Sequence, residues 1–337
     1  MRTTLKDIAL HAGVSTALVS NYLNGSRAAR MSDATRERIE KALKELDYQP
    51  SWAARALRTG KSNIIGLAGT MLNYEVNQSE MLALFYAASQ RGYQLSVQFT
   101  GDDPARLPGA VRSLLAQGCD VVIVSGNLTG EDCRKLAEYT PKLLLINSNK
   151  SSEIAGRTIR YDYESAVLTA LNDLKSSGHE NICYLCDKNW SIDQRMSAFL
   201  SMYPAENLVD CNLYGGRDKA WFDTLLASRK ECRAFFCIND MIALELMQYL
   251  LLNGKKVPED YSVLGFDNVH AAAMTIPALS SIARPLDEVA SRVIDRCEEI
   301  IKDRSTEFET EIFKCIYIPR STTLRREKQG DAVYEKE

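Results

Sequence analysis

The stretch TLKDIALHAGVSTALVSNYLN, residues 4–24, decides how the start of this chain folds. Leu5, Ile8, Ala9 and Ala12 recur at i, i+3, i+4 and i+7, the spacing of one apolar helical stripe. Thr4, with Asp7 three positions on, fits a capping box that would start a helix over 5–12. Gly13 tolerates the positive φ that ends a helix and turns the chain. Ser15 or Thr16 then caps a second helix running to about Asn24. Val19, Tyr22 and Leu23 share its inward stripe. Ala17, Ser20, Asn21 and Asn24 share another stripe, small and polar, that can approach a second surface closely. Two short helices joined by a glycine turn read as a helix-turn-helix, whose second helix fits the DNA major groove. A third helix beginning at Ser32 repeats the spacing with Ile39, Ala42, Leu43 and Leu46, and turns Arg36, Arg38, Lys41 and Lys44 outward.

Charge supports that reading. The 337 residues carry a net −3, yet residues 1–62 hold eleven Lys or Arg against six Asp or Glu. That is a local +5, which leaves −8 for the rest. A basic head on an acidic body suggests that only the head meets a polyanion. At 45% hydrophobic and 25% charged, the composition excludes disordered and collagen-like classes. Nine cysteines without secreted-domain spacing, and no opening apolar signal segment, point to a cytoplasmic protein with buried thiols. No apolar run reaches the roughly 18 residues of a membrane span, so no membrane partner is expected.

After Tyr48, the segment SWAARALR at 51–58 is helix-prone but too short to hold a helix alone in water. It is a candidate for ordering on binding. From Asn63 onward short apolar runs alternate with helical patterns. Strands are expected at 64–68, 93–99, 121–124 and 143–147, with helices at about 79–91, 104–117 and 130–139 between them. A second round begins near Arg160: a helix at 163–176, a strand at 182–186, a helix near 193–202 and a strand at 234–238. It continues with a helix at 241–253, a strand at 261–266, a helix at 286–302 and a strand near 312–318. Runs apolar on both faces mark parallel strands covered by helices. The expected fold is therefore α/β: an all-α head plus a bilobed module of two doubly wound parallel sheets, with a ligand in the cleft between them. The head spans 1–48, a hinge and linker 49–62, and the first lobe 63–160 with a return segment near 287–320. The second lobe spans 161–286, and 326–337 is a polar tail.

These residues resemble the lactose-repressor (LacI/GalR) family of transcription regulators over nearly the whole chain. TLKDIALHAGVS, VSNYLNG and TRERIEKALKELDYQPSWAARALRTGKSNIIGL are similar to the family's head, hinge and first effector-domain strand in unbroken order. RMSAF at 195–199, FFCIND at 235–240, VPEDYSVLGFDN at 257–268, PALSSIARP at 277–285 and IPRST at 318–322 resemble later signatures. The long loop NGSRAARMS is loosely like that of the fructose- and sucrose-repressor branch.

The resemblance implies base-edge contacts from Thr16, Ala17 and Asn21, with Thr4, Ser15, Ser20 and Asn24 as further DNA-facing positions. Asn can donate and accept toward adenine, and Ala or a Thr methyl can touch the thymine methyl. Leu18 and Asn21 depart from the family's commoner Thr and Arg, so the half-site would differ from those of well-known members. Leu57 resembles an intercalating leucine that wedges into a minor-groove step, flanked by Ala54, Arg55 and Arg58. In the body the resemblance places Arg195 and Asp267 at the effector, with Phe236, Asn239, Thr70, Tyr74 and Asn147 at further pocket positions. An Arg with an opposing carboxylate suits a hydroxyl-rich or phosphorylated small molecule.

The implied protein is a repressor acting as a homodimer on a palindromic double-stranded operator, controlled by a sugar or sugar phosphate. A periplasmic-type binding protein without DNA function is the competing class; it would carry a signal peptide where this chain has a basic helix-turn-helix. Enzyme, cofactor and metal readings find no support. Gly60-Lys61-Ser62 lacks the earlier glycine of a phosphate loop and precedes a strand. Cys183 and Cys186 sit within one strand with no second pair, as buried structural thiols do. His11, His179 and His270 form no triad.

Overall fold

The chain divides into two compact units, residues 1–62 and 63–337. The computed structural model describes residues 3–23, 31–48, 60–69, 75–101, 103–126, 128–147, 149, 153–188, 193–213 and 215–324, with the backbone alone of Asn147.

The first unit holds three helices. α1 (Leu5–Ala12) starts on Thr4: its Oγ1 accepts from the Asp7 amide, while the Asp7 carboxylate accepts from the Thr4 amide. Gly13 ends the helix at φ 63°. In α2 (Thr16–Leu23) the Leu18 amide donates to Ser15 Oγ at 3.2 Å. In α3 (Asp33–Glu45) the Thr35 amide donates to Ser32 Oγ at 3.3 Å. Ile8, Ala9, Ala12, Val19, Ile39 and Ala42 close a small core, with Tyr22, Leu23, Leu43 and Leu46 packed around it. Eight-residue helices are unstable singly, so this shared core is what holds them.

The second unit alternates strand and helix. Its first round is β1 (Ile64–Gly69), α4 (Glu75–Gln90), β2 (Gln94–Phe99), α5 (Leu107–Ala116), β3 (Val121–Gly126), α6 (Gly130–Leu136), β4 (Leu143–Asn147) and β5 (Thr158–Asp162). The second runs α7 (Glu164–Ser176), β6 (Ile182–Cys186), α8 (Gln194–Leu200), β7 (Leu208–Asp210), α9 (Lys219–Ser228), β8 (Ala234–Cys237), α10 (Asp240–Leu252) and β9 (Ser262–Leu264). Then come α11 (His270–Met274), β10 (Ser281–Ala283), α12 (Leu286–Lys302), β11 (Glu311–Lys314) and β12 (Ile316–Ile318). Two sheets result, ordered β11-β5-β4-β3-β1-β2 and β7-β6-β8-β9, with every pairing parallel. Side chains of a strand alternate between faces, so a sheet covered on both sides needs continuous apolar runs. β3 shows this: Val121 and Ile123 enter one core cluster with Leu84 of α4 and Val293 of α12. Val122 and Val124 enter another with Val111 of α5 and Leu136 of α6.

Several details differ from the sequence reading, among them β5, α11 and β10, where no element was expected. The strand expected near 312–318 breaks at Cys315. Lys314 still pairs with Asp162 in the first sheet, whereas Ile316 pairs with Ala283 in a small antiparallel β10-β12 sheet. The break lets the chain pass from one lobe to the other. β7 and α9 went unread because a three-residue strand is too short to show a period. Cys183 is not a free thiol: it is bonded to Cys232, 49 residues on, with Cα atoms 6.2 Å apart. Parallel pairing of β6 with β8 sets Cys183 opposite Phe235, three residues past Cys232, and so brings the two within bridging reach. Cys186 remains a buried thiol. Among the described residues no His, Cys, Asp and Glu cluster could hold a metal, and no helix is long and apolar enough to cross a membrane.

Candidate functional site

On the head, Ser15, Thr16, Ala17 and Asn21 are exposed on or beside α2 and Ser20 is half-buried, while Val19 turns into the core. Ser15 and Thr4 also cap helices, so part of their hydrogen-bonding capacity is spent locally. Arg36, Arg38, Lys41 and Lys44 are exposed on α3. Phosphate contacts from such residues supply affinity without sequence information. Asn24, Ala54, Arg55, Leu57, Arg58 and the expected hinge helix lie outside the described residues.

In the second unit the charged groups converge at the carboxyl ends of the strands, where open α/β sheets bind ligands. Arg195 opens α8 and Asp193 caps it. Arg195 Nε donates to Asp193 Oδ2 at 2.8 Å, Nη2 to the same oxygen at 2.5 Å, and Nη1 to the Ile238 carbonyl at 2.8 Å. Its guanidinium lies 4.9 Å from the Phe266 ring centre and 5.8 Å from that of Tyr163. Burial opposes its charge, but Asp193 more than compensates and holds the Arg195 pKa above its ordinary value.

Asp267 follows β9 at φ 106°, a backbone conformation that non-glycine residues adopt only under constraint. Hydrogen bonding of its amide to the Ile282 carbonyl at 2.9 Å supplies that constraint. Arg284, just after β10, faces both Asp267 and Glu80 of α4: Nη2 is 3.6 Å from Asp267 Oδ1 and Nη1 is 3.9 Å from Glu80 Oε1. Glu80 is held in turn by Tyr161, whose hydroxyl donates at 2.7 Å, and by Ser125 Oγ at 2.5 Å. Burial pushes the Asp267 carboxyl up to about 6, with Arg284 and Arg195 pulling the other way. Behind it, burial pushes Asp240 up to about 7, against hydrogen bonds from Ser281 Oγ and the Val269 amide.

The structure therefore brings Arg195 and Asp267 to one site, but not as each other's partners. Arg195 is clamped by Asp193, whereas Asp267 faces Arg284. Phe236 does not face open space: it is fully buried and stacks on Tyr184 at 4.5 Å, and the ring beneath Arg195 is Phe266. Asn239 Oδ1 accepts from the Ile242 amide as the cap of α10, so it acts first as a structural group. Asn147 ends β4; its side chain, with Thr70 and Tyr74, lies outside the described residues. Sequence reasoning missed Glu80, Tyr161, Asp193 and Arg284. Arg284 stands inside the PALSSIARP signature, where a lone basic residue before proline gives no periodic signal.

A helix-turn-helix unit joined to a two-lobed parallel α/β unit defines a class, the DNA-binding transcription regulators. Residues 4–51 match the family "bacterial regulatory proteins, lacI family", and residues 171–323 match "periplasmic binding protein-like domain". The chain is 30% identical to the HTH-type transcriptional repressor PurR of Vibrio campbellii over 316 residues, covering 90% of this chain and 93% of that protein. It is 27% identical to PurR of Mannheimia succiniciproducens, covering 91% and 94%. Its fold is similar to the lac repressor dimer bound to operator and the anti-inducer ONPF (TM-score 0.81, 23% identity, 96% of this chain and all of that one). A transcriptional regulator CelR–cellobiose complex is also similar (TM-score 0.64, 22% identity, 95% and 100%). The chain belongs to the lacI family: it is a DNA-binding transcriptional repressor, not an enzyme, and carries a periplasmic-binding-protein-like domain.

Proposed function

We propose that this repressor acts in the cytoplasm as a homodimer on a pseudo-palindromic double-stranded operator, and that a small effector in the inter-lobe site, a sugar or sugar phosphate, controls its affinity. The observation that carries this reading is the buried cluster of opposed charge at the strand ends, in the same chain as an exposed polar α2 face. A stable fold gains little from burying such charges incompletely paired, so the cluster argues for a bound ligand. Thr16, Ala17 and Asn21 would read base edges, with Thr4, Ser15, Ser20 and Asn24 beside them. Leu57 would wedge a central step, helped by Ala54, Arg55 and Arg58. Residues 1–48 would serve as the head, 49–62 as hinge and linker, 63–160 with the return near 287–320 as the first lobe, and 161–286 as the second. Arg195 and Asp267 would line the effector site, with Thr70, Tyr74, Asn147 and Asn239 contributing and Phe236 packing behind.

For the dimer, α4 exposes Leu82, Phe85 and Tyr86 at i, i+3 and i+4, an apolar stripe suited to a second copy of this chain. The operator-bound lac repressor dimer and the cellobiose complex among the similar structures support the same scheme. A gel shift with genomic fragments at low salt, with and without sugars, tests it. One fragment should shift specifically and respond to one sugar or sugar phosphate; no specific shift under any condition refutes the scheme.

A further inference from the structure

We propose that Arg284 is a specificity-determining residue of the effector site, selecting an uncharged hydroxyl-bearing ligand over its phosphorylated counterpart by bridging that hydroxyl to Asp267. The proposal rests on the reading of the inter-lobe site as the effector site.

The argument begins with unmet hydrogen bonds. The Arg284 side chain is 8% exposed and lies 5.5 Å from the centre of the Tyr161 ring. An arginine carries five N–H donors. Among the described residues its hydrogen bonding is one contact at the limit, Nη2 to Asn77 Oδ1 at 3.5 Å, and its buried Nε meets no acceptor. A buried donor left unmade costs on the order of 1–3 kcal/mol, so the site favours an acceptor arriving from outside the chain. Arg195, the other guanidinium that acts on Asp267, shows the contrast: its Nε, Nη1 and Nη2 are all spent on Asp193 and the Ile238 carbonyl. Arg195 is a fixed platform. Arg284 is the open donor.

The acceptors around it decide the ligand's chemistry. Both Glu80 oxygens already accept, from Tyr161 and Ser125, which makes Glu80 a fixed counter-charge. Asp267 Oδ1 stands 3.6 Å from Arg284 Nη2, too far for a direct hydrogen bond. A hydroxyl seated beside the pair can serve both, because it accepts from the guanidinium and donates to the carboxylate at once. A phosphate cannot donate when fully ionised, and it would add negative charge where Asp193, Glu80 and Asp267 already outnumber Arg195 and Arg284. Repulsion between buried like charges is large, so the cluster favours the neutral ligand.

Isothermal titration of the full chain with D-fructose, sucrose, cellobiose, fructose 6-phosphate and inorganic phosphate tests this. A neutral sugar should bind, and its phosphorylated form should bind at least tenfold more weakly. Arg284→Gln should weaken the neutral sugar at least tenfold, and Arg284→Lys, which keeps the charge but not the planar fork, should do so partially. The ligand-free melting temperature and near-UV spectrum of Arg284→Lys establish that its fold is intact. Unchanged sugar affinity in both Arg284 variants, with loss in Asp267→Asn, overturns the inference while leaving the effector site in place. Unchanged affinity in all three variants overturns both. Binding of fructose 6-phosphate or inorganic phosphate in preference to every neutral sugar, or no neutral sugar binding at all, overturns the selectivity.

Discussion

Asp267 couples folding to pH. Its folded-state carboxyl titrates at about 6, above the roughly 4 of an unfolded chain, so between those values the folded state holds a proton that the unfolded state has lost. The contribution of this residue to stability is greatest at low pH and declines as pH rises through 6. Asp267→Asn never acquires the buried charge. Thermal melts at pH 5, 6 and 7.5 should therefore show the variant gaining on the wild type as pH rises, and a constant difference refutes the assignment. Gly265 makes a second prediction. A Cβ there would lie 2.1 Å from Asp240 Oδ1, an atom fixed by the Ser281 hydroxyl, and 3.1 Å from Leu279. Gly265→Ala should lower stability by about 1–3 kcal/mol in urea titration. What a single residue does was only partly legible in the sequence. Arg195 and Asp267 could be placed by resemblance, and the partner of Arg195, Asp193, stands only two residues away at the start of the same helix. Arg284, which faces Asp267, comes from a different strand end and shows only in the assembled sheets.

Elements were far more legible. α1, β6 and α12 begin and end where stripe, apolar run and caps say they should, because local periodicity and tertiary burial agree there. They fail together in the 208–228 region, where β7 has three residues, and at 312–318, where burial inside one lobe gives way to passage between two. The capping box of α1 gives the element-scale prediction. Thr4→Ala removes the acceptor for the Asp7 amide and should destabilise the head by about 1 kcal/mol. Operator affinity should fall, while the melting of the larger unit stays as it was. Equal loss in both units would show that the cap matters beyond its helix.

At the scale of the whole molecule the open matter is what covers α4. Leu82, Phe85 and Tyr86 are about half exposed, whereas Val76, Glu80, Leu84, Ala87 and Ala88 on the same helix are buried. Phe85→Glu should give a monomer by analytical ultracentrifugation and, because each head then binds alone, cost orders of magnitude in operator affinity. A variant that remains a dimer would move the interface elsewhere. The helix that offers this stripe also carries Glu80 toward Arg284, so one element touches both the proposed partner surface and the proposed effector site. A ligand that alters the Arg284 contacts would have a direct mechanical route to the proposed dimer surface.

The head's core has a consequence of another kind. Ile8, Ala9, Ala12, Val19, Ile39 and Ala42 form a core cluster within the first unit, packed round by Tyr22, Leu23, Leu43 and Leu46 of that same unit. Which DNA address is read and, in the proposed scheme, which chemical is sensed are thus written in two separate compact units. Either can mutate, drift or be exchanged by recombination without unpicking the other. A lineage built on this plan can redirect an old sensor to new genes, or give old genes a new signal, by changing one end of the chain.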